Sequence, residues 1–88
     1  MMQGKTKSGF AYSIPESRLD NMELLEVLVE IDKGNGTQLP AALEMLLGRD
    51  QKQALYDHVR NSEGIVPVSA VSVELMEILQ ENRQAKNC

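Results

Sequence analysis

Cysteine is all but missing. Cys88 is the only one, so a disulfide framework is excluded. With His58 as the only histidine, a Cys/His zinc site is not expected either. Aromatics are confined to Phe10, Tyr12 and Tyr56, with no tryptophan, which leaves neither a stacking platform for single-stranded nucleic acid nor an aromatic-lined ligand pocket. No apolar run approaches the ~20 residues of a membrane span. Met1–Phe10 carries lysines without an apolar stretch, so no signal peptide is expected. Positive charge is in deficit. Thirteen Asp and Glu face nine Lys and Arg, giving a net charge of −4 and a pI near 4.9. Nucleic-acid binding draws on cationic neutralisation of phosphates and is disfavoured. The 88 residues, 42% hydrophobic and 25% charged, remain as one small domain.

Helical signals dominate. A first helix is expected from about Asp20 to Asp32, where Asp20-Asn21-Met22-Glu23 is a start signal, Ser17-Arg18-Leu19-Asp20 an overlapping weaker one that leaves the start open by a turn, and Lys33-Gly34-Asn35-Gly36 a stop. A second runs from Gln38 to Leu47, with Thr37 as N-cap, Pro40 in the first turn and Gly48 as terminator. A third spans Gln51 to Arg60 behind Asp50. A fourth runs from Ala70 to Asn82 behind Ser69, with Val68 and Val73 as a hydrophobic staple. Phe10, Tyr12 and Ile14 alternate between Gly9 and Pro15, a short strand signal. Its one candidate partner is Gly64–Val68, and the two segments either pair or lie separately over the helices. The fold expected is mainly α: a small bundle of about four short helices, with a short N-terminal strand or two-stranded element. Residues 1–8 are expected to be disordered, 9–83 to form the domain and 84–88 to fray.

The first helix is unusual. On a helical wheel Glu16, Glu23, Glu26 and Glu30 form one narrow stripe, and Leu24, Leu25, Val27, Leu28, Val29 and Ile31 cover more than half of the rest. One packing partner uses an apolar stripe only somewhat wider than ~100°. Either this is the central helix, covered on two sides, or part of its face is left for another protein or another copy of the chain. By the wheel, Leu24, Leu28 and Ile31 are the candidate partner contacts, with Glu23, Glu26 and Glu30 as a soluble rim. The glutamates otherwise read as a solvated face. Met22, Met45 and Met76 read as core fillers, although methionine also suits adaptable binding surfaces. Ser69 and Ser72 read as capping residues, and His58 and Cys88 lie in no recognisable catalytic setting. No cofactor or metal is expected.

The order of several motifs resembles the small tail assembly chaperones of long-tailed phages and prophages of Gram-positive bacteria. The residues that carry the resemblance are Ser8-Gly9-Phe10 with the segment through Ile14, Met22–Leu28, Leu39–Gly48, Asp57-His58-Val59-Arg60 and Gly64–Val68, within a match over about Ser8 to Asn87. The resemblance implies a non-catalytic protein that binds the tape measure protein in the host cytoplasm. It would keep that client soluble, help bring tail tube subunits to it, and be absent from the finished virion. It also implies a longer, frameshifted form. Ala85-Lys86-Asn87 is encodable as GCA AAA AAC, which contains the slippery heptamer A AAA AAC, whereas GCG AAG AAT would exclude it.

A rival reading is an acidic regulator that occupies a basic or nucleic-acid-binding protein, with the glutamate stripe as its feature. A small enzyme is a third class, for which the sequence offers no constellation.

Overall fold

The N-terminal segment folds back on itself as a hairpin. In the computed structural model, which describes the backbone of residues 1–86 and side chains through Asn82, β1 (Met2–Lys5) pairs antiparallel with β2 (Ala11–Ile14). Thr6 and Phe10 close the connecting turn through Thr6 N–H to Phe10 O at 2.9 Å. The partner of the Phe10–Ile14 segment is Met2–Lys5 and not Gly64–Val68. Residues 1–8 therefore belong to the fold. The alternation itself works as read, since Phe10, Tyr12 and Ile14 all enter the core. Each such side chain contributes on the order of 1.5–3 kcal/mol by leaving water.

Helix α1 (Met22–Asp32) starts at Asn21, whose side chain accepts the Glu23 N–H at 3.0 Å. The cap is thus one residue beyond Asp20, because Asn21 has the extended backbone that lets its side chain reach forward. At the other end Gly34 N–H reaches Ile31 O at 2.9 Å and Asn35 N–H reaches Glu30 O at 3.0 Å, the paired bonds of a Schellman motif. A 3-10 turn over Gly36–Gln38 then leads into α2 (Leu39–Val59), so Thr37 lies before the helix and binds the Asn35 side chain instead of capping.

The mainly helical class holds, while the count of four helices is not reproduced, because the second and third expected helices run together across a kink at Gly48. The described residues form three α-helices, and the fold is 65% helical. At Gly48 the backbone leaves helical geometry (φ 81°, ψ 166°), so α2 is two helical segments joined across a kink, with the glycine between them where the sequence places its second helix terminator and with Asp50 in the second segment. The break survives because the carbonyls it frees find donors. Arg18 Nη1 reaches Leu46 O at 3.4 Å and Gln51 Nε2 reaches Leu47 O at 2.8 Å. Lys52 also bridges back to Glu44 at 2.8 Å, and its hydrogen bond holds the Glu44 carboxyl below the usual range.

Helix α3 (Val68–Lys86) begins one residue before Ser69 and runs beyond Asn82, past the point where the helix was expected to end. Val68 and Val73 are both exposed, so the anticipated staple has no buried contact to make. Asn87 and Cys88, which include part of the anticipated frayed tail, lie outside the described residues.

The central element is α2 and not α1. It touches α1, α3 and β2, and supplies Leu39, Ala42, Leu43, Leu46, Leu47 and Leu55 to the core. Helix α3 adds Val71, Leu75 and Ile78, whereas α1 adds only Leu24. Among the described residues no helix is long and apolar enough to cross a membrane.

Candidate functional site

Helix α1 uses only part of its wide apolar face to pack. Leu24 is 2% exposed, and Val27, Leu28 and Ile31 lie half-buried against the same core. Met22, Leu25 and Val29 remain outside, at 67%, 53% and 44% exposure. Their spacing of three and four residues puts them on one line along the helix. With Glu26 and Glu30 they line a shallow groove of about 400 Å³.

This placement re-sorts the candidate contacts. Leu24 is closed to any partner, and Leu28 and Ile31 are largely committed to the core. Glu23, Glu26 and Glu30 are exposed, as a rim requires, and Glu26 and Glu30 border the groove. The free strip is Met22–Leu25–Val29. The wheel shows that the apolar face is too wide, but only the position of α2 decides which edge is left over. Met22 and Met76 are exposed rather than core fillers, and Met45 alone of the three packs against the core.

A polar cluster joins residues far apart in sequence. Glu74 on α3, 4% exposed, accepts Thr6 Oγ1–H at 2.7 Å and Ser8 Oγ–H at 3.0 Å. Ser8 Oγ also lies 3.0 Å from His58 Nε2. A serine, a histidine and a carboxylate thus meet. With the Ser8 hydroxyl donating to Glu74, the contact with His58 is made through the remaining lone pairs of Ser8 by a donating Nε2 tautomer. Lys7 N–H adds a bond to Glu77 at 2.9 Å, and the His58 ring lies 5.7 Å from that of Phe10. The cluster ties the hairpin turn to α2 and α3. No sequence signal announces it, because Ser8 is 50 residues from His58 and 66 from Glu74.

A second polar tie sits at the other end of α3. Tyr12 donates to Glu81 and accepts from Asn82 Nδ2 at 3.3 Å. Burial first, then the Glu81 hydrogen bond and charge, push the phenol up to about 12. Among the described residues no group of three or more His, Cys, Asp or Glu side chains is arranged to hold a metal ion.

A larger groove, about 510 Å³, opens where both ends of α2 approach the start of α3 and is lined by Leu39, Pro40, Tyr56, Val66, Val68 and Val71. Arg60 on its rim is occupied, with Asp57 and Gly64 O each at 2.9 Å. Set against protein families, curated proteins and solved structures, the chain matches none.

Proposed function

We propose that this chain is a non-catalytic tail assembly chaperone of a phage or prophage. It would bind the tape measure protein in the host cytoplasm, keep it soluble and help bring tail tube subunits to it, leaving before the virion is complete. The observation that carries this reading is the exposed Met22–Leu25–Val29 strip beside exposed glutamates. A long, coiled-coil-prone client presents apolar stripes that aggregate when uncovered. A small subunit that covers such a stripe needs a matching strip at helical spacing and enough charge to keep the complex in solution. The motif order from Ser8 to Asn87 points to the same role.

Co-expression with the tape measure protein from the same genome, followed by affinity purification and light scattering, tests it. A soluble complex with several copies of this chain per client is expected. No complex, with a tape measure protein soluble by itself, would overturn the reading. The exposed acidic residues of α1 favour an acidic regulator as the second reading. A neighbouring repressor or nuclease gene would support that reading, and a neighbouring tape measure gene the first.

A further inference from the structure

The charge of the molecule is not spread over its surface. Residues 16–33 hold Glu16, Asp20, Glu23, Glu26, Glu30 and Asp32 against Arg18 and Lys33. The other seventy residues hold seven acids and seven bases, so the entire net charge of −4 resides in this one segment. All six acids are exposed. The two bases offset them little at the surface. Arg18 turns inward toward Leu46 O and the Gly48 break. Lys33 makes a 3.7 Å pair with Glu30 in which both side chains are largely exposed, an arrangement that contributes little.

We infer that the Met22–Leu25–Val29 groove docks one amphipathic helix of another protein, with Lys or Arg flanking its apolar stripe. The inference rests on the protein-binding reading above and names the chemistry of the partner. The apolar strip supplies contact over about two helical turns. The acids beside it select a basic flank and speed encounter. Self-pairing through the same strip is disfavoured, since two copies would bring Glu26 and Glu30 against each other. An anionic bilayer is disfavoured for the same reason. The larger groove near Tyr56 has no comparable surplus of charge to select an occupant.

The test uses the full chain and a labelled peptide of about eighteen residues, leucine on one helical face and lysine elsewhere. A leucine/glutamate peptide of the same pattern and a scrambled leucine/lysine peptide are its controls. Fluorescence anisotropy should show binding of the patterned basic peptide alone. Leu25→Ser with Val29→Ser should weaken it about tenfold or more, and Glu26→Gln with Glu30→Gln should weaken it at about 50 mM salt and much less at about 300 mM. Protection from hydrogen exchange on binding should concentrate in α1. Equal binding of the scrambled or acidic peptide, or no effect of the serine pair, would overturn the inference. So would a concentration-dependent dimer that Leu25→Ser dissolves, or recruitment to anionic vesicles. The same variants separate the two claims. A tape measure complex indifferent to them leaves the chaperone reading standing and sinks this one. Peptide binding without any tape measure complex does the reverse.

Discussion

Gly4 stands directly opposite Tyr12 in the hairpin, and the Tyr12 ring fills the space that a side chain at Gly4 would need. A Cβ at Gly4 would lie 2.6 Å from Tyr12 Cζ. The ring cannot swing aside freely, because its hydroxyl is bound to Glu81 and Asn82 on α3. Gly4→Ala should therefore destabilise the domain by about 1–3 kcal/mol, the usual cost of overpacking. Urea unfolding checks this. Gly4→Ala combined with Tyr12→Ala should lose less than the two single losses added, since the clash disappears with the ring.

Tyr12 also sets an alkaline limit. Its phenol titrates at about 12 in the folded chain, against 10.0 for the free group. Above pH 10 the unfolded chain gives up this proton while the folded chain keeps it. The contribution to stability is complete below pH 10 and is lost as pH rises through 12. Unfolding free energy should thus fall across this window, and Tyr12→Phe should flatten that part of the profile. Ultraviolet titration of the folded protein should lose its late phenolate step in the same variant. The variant also costs about 1–3 kcal/mol near neutral pH, because Glu81 and Asn82 lose a partner.

Gln51 closes the outer edge of β2. Its side-chain amide accepts Ser13 N–H at 2.8 Å and donates to Ser13 O at 2.8 Å, as a neighbouring strand would. The same Nε2 holds Leu47 O at the Gly48 break. Gln51→Glu keeps an acceptor for Ser13 N–H and removes both donated bonds. It should cost about 1–3 kcal/mol, the range for polar groups left half-paired. Hydrogen exchange localises the effect: the Ser13 amide should stay protected in Gln51→Glu and lose protection in Gln51→Ala.

How far these features can be read from sequence depends on how local their causes are. The end of α1 is legible directly and its start to within a turn, because Asn21 and Gly34 act on their own neighbours. β2 is legible through the alternation of Phe10, Tyr12 and Ile14. β1 is not, since Gln3, Gly4 and Lys5 carry no apolar pattern and Gly4 is explained only by the ring across from it. Gly48 is legible as a break. How the two segments of α2 join across it depends on donors from Arg18 and Gln51, and the reach of Arg18 across 28 residues is a tertiary matter. On α1 the excess of apolar face is legible from composition, while the choice of exposed edge is made by where α2 lies.

That choice yields a sharp contrast between two adjacent leucines. Leu24 is sealed in the core and Leu25 is 53% exposed on the same helix. Their helix propensities are identical, so any difference on truncation reports packing alone. Leu24→Ala should cost about 2–5 kcal/mol by leaving a cavity. Leu25→Ala should fall within about 0.5 kcal/mol of the parent, as exposed substitutions do. Leu28→Glu is a poor probe of partner binding by the same logic, because a charge on a half-buried, core-packed side chain unsettles the fold before any partner is met. Leu25→Glu keeps the fold and changes the groove. Thermal unfolding of Leu24→Ala, Leu25→Ala, Leu28→Glu and Leu25→Glu should therefore split the set into two destabilised and two parent-like proteins. If Leu25→Ala melted with Leu24→Ala, the strip would be part of the core or of a self-interface, and could not be the surface that α1 offers to another protein.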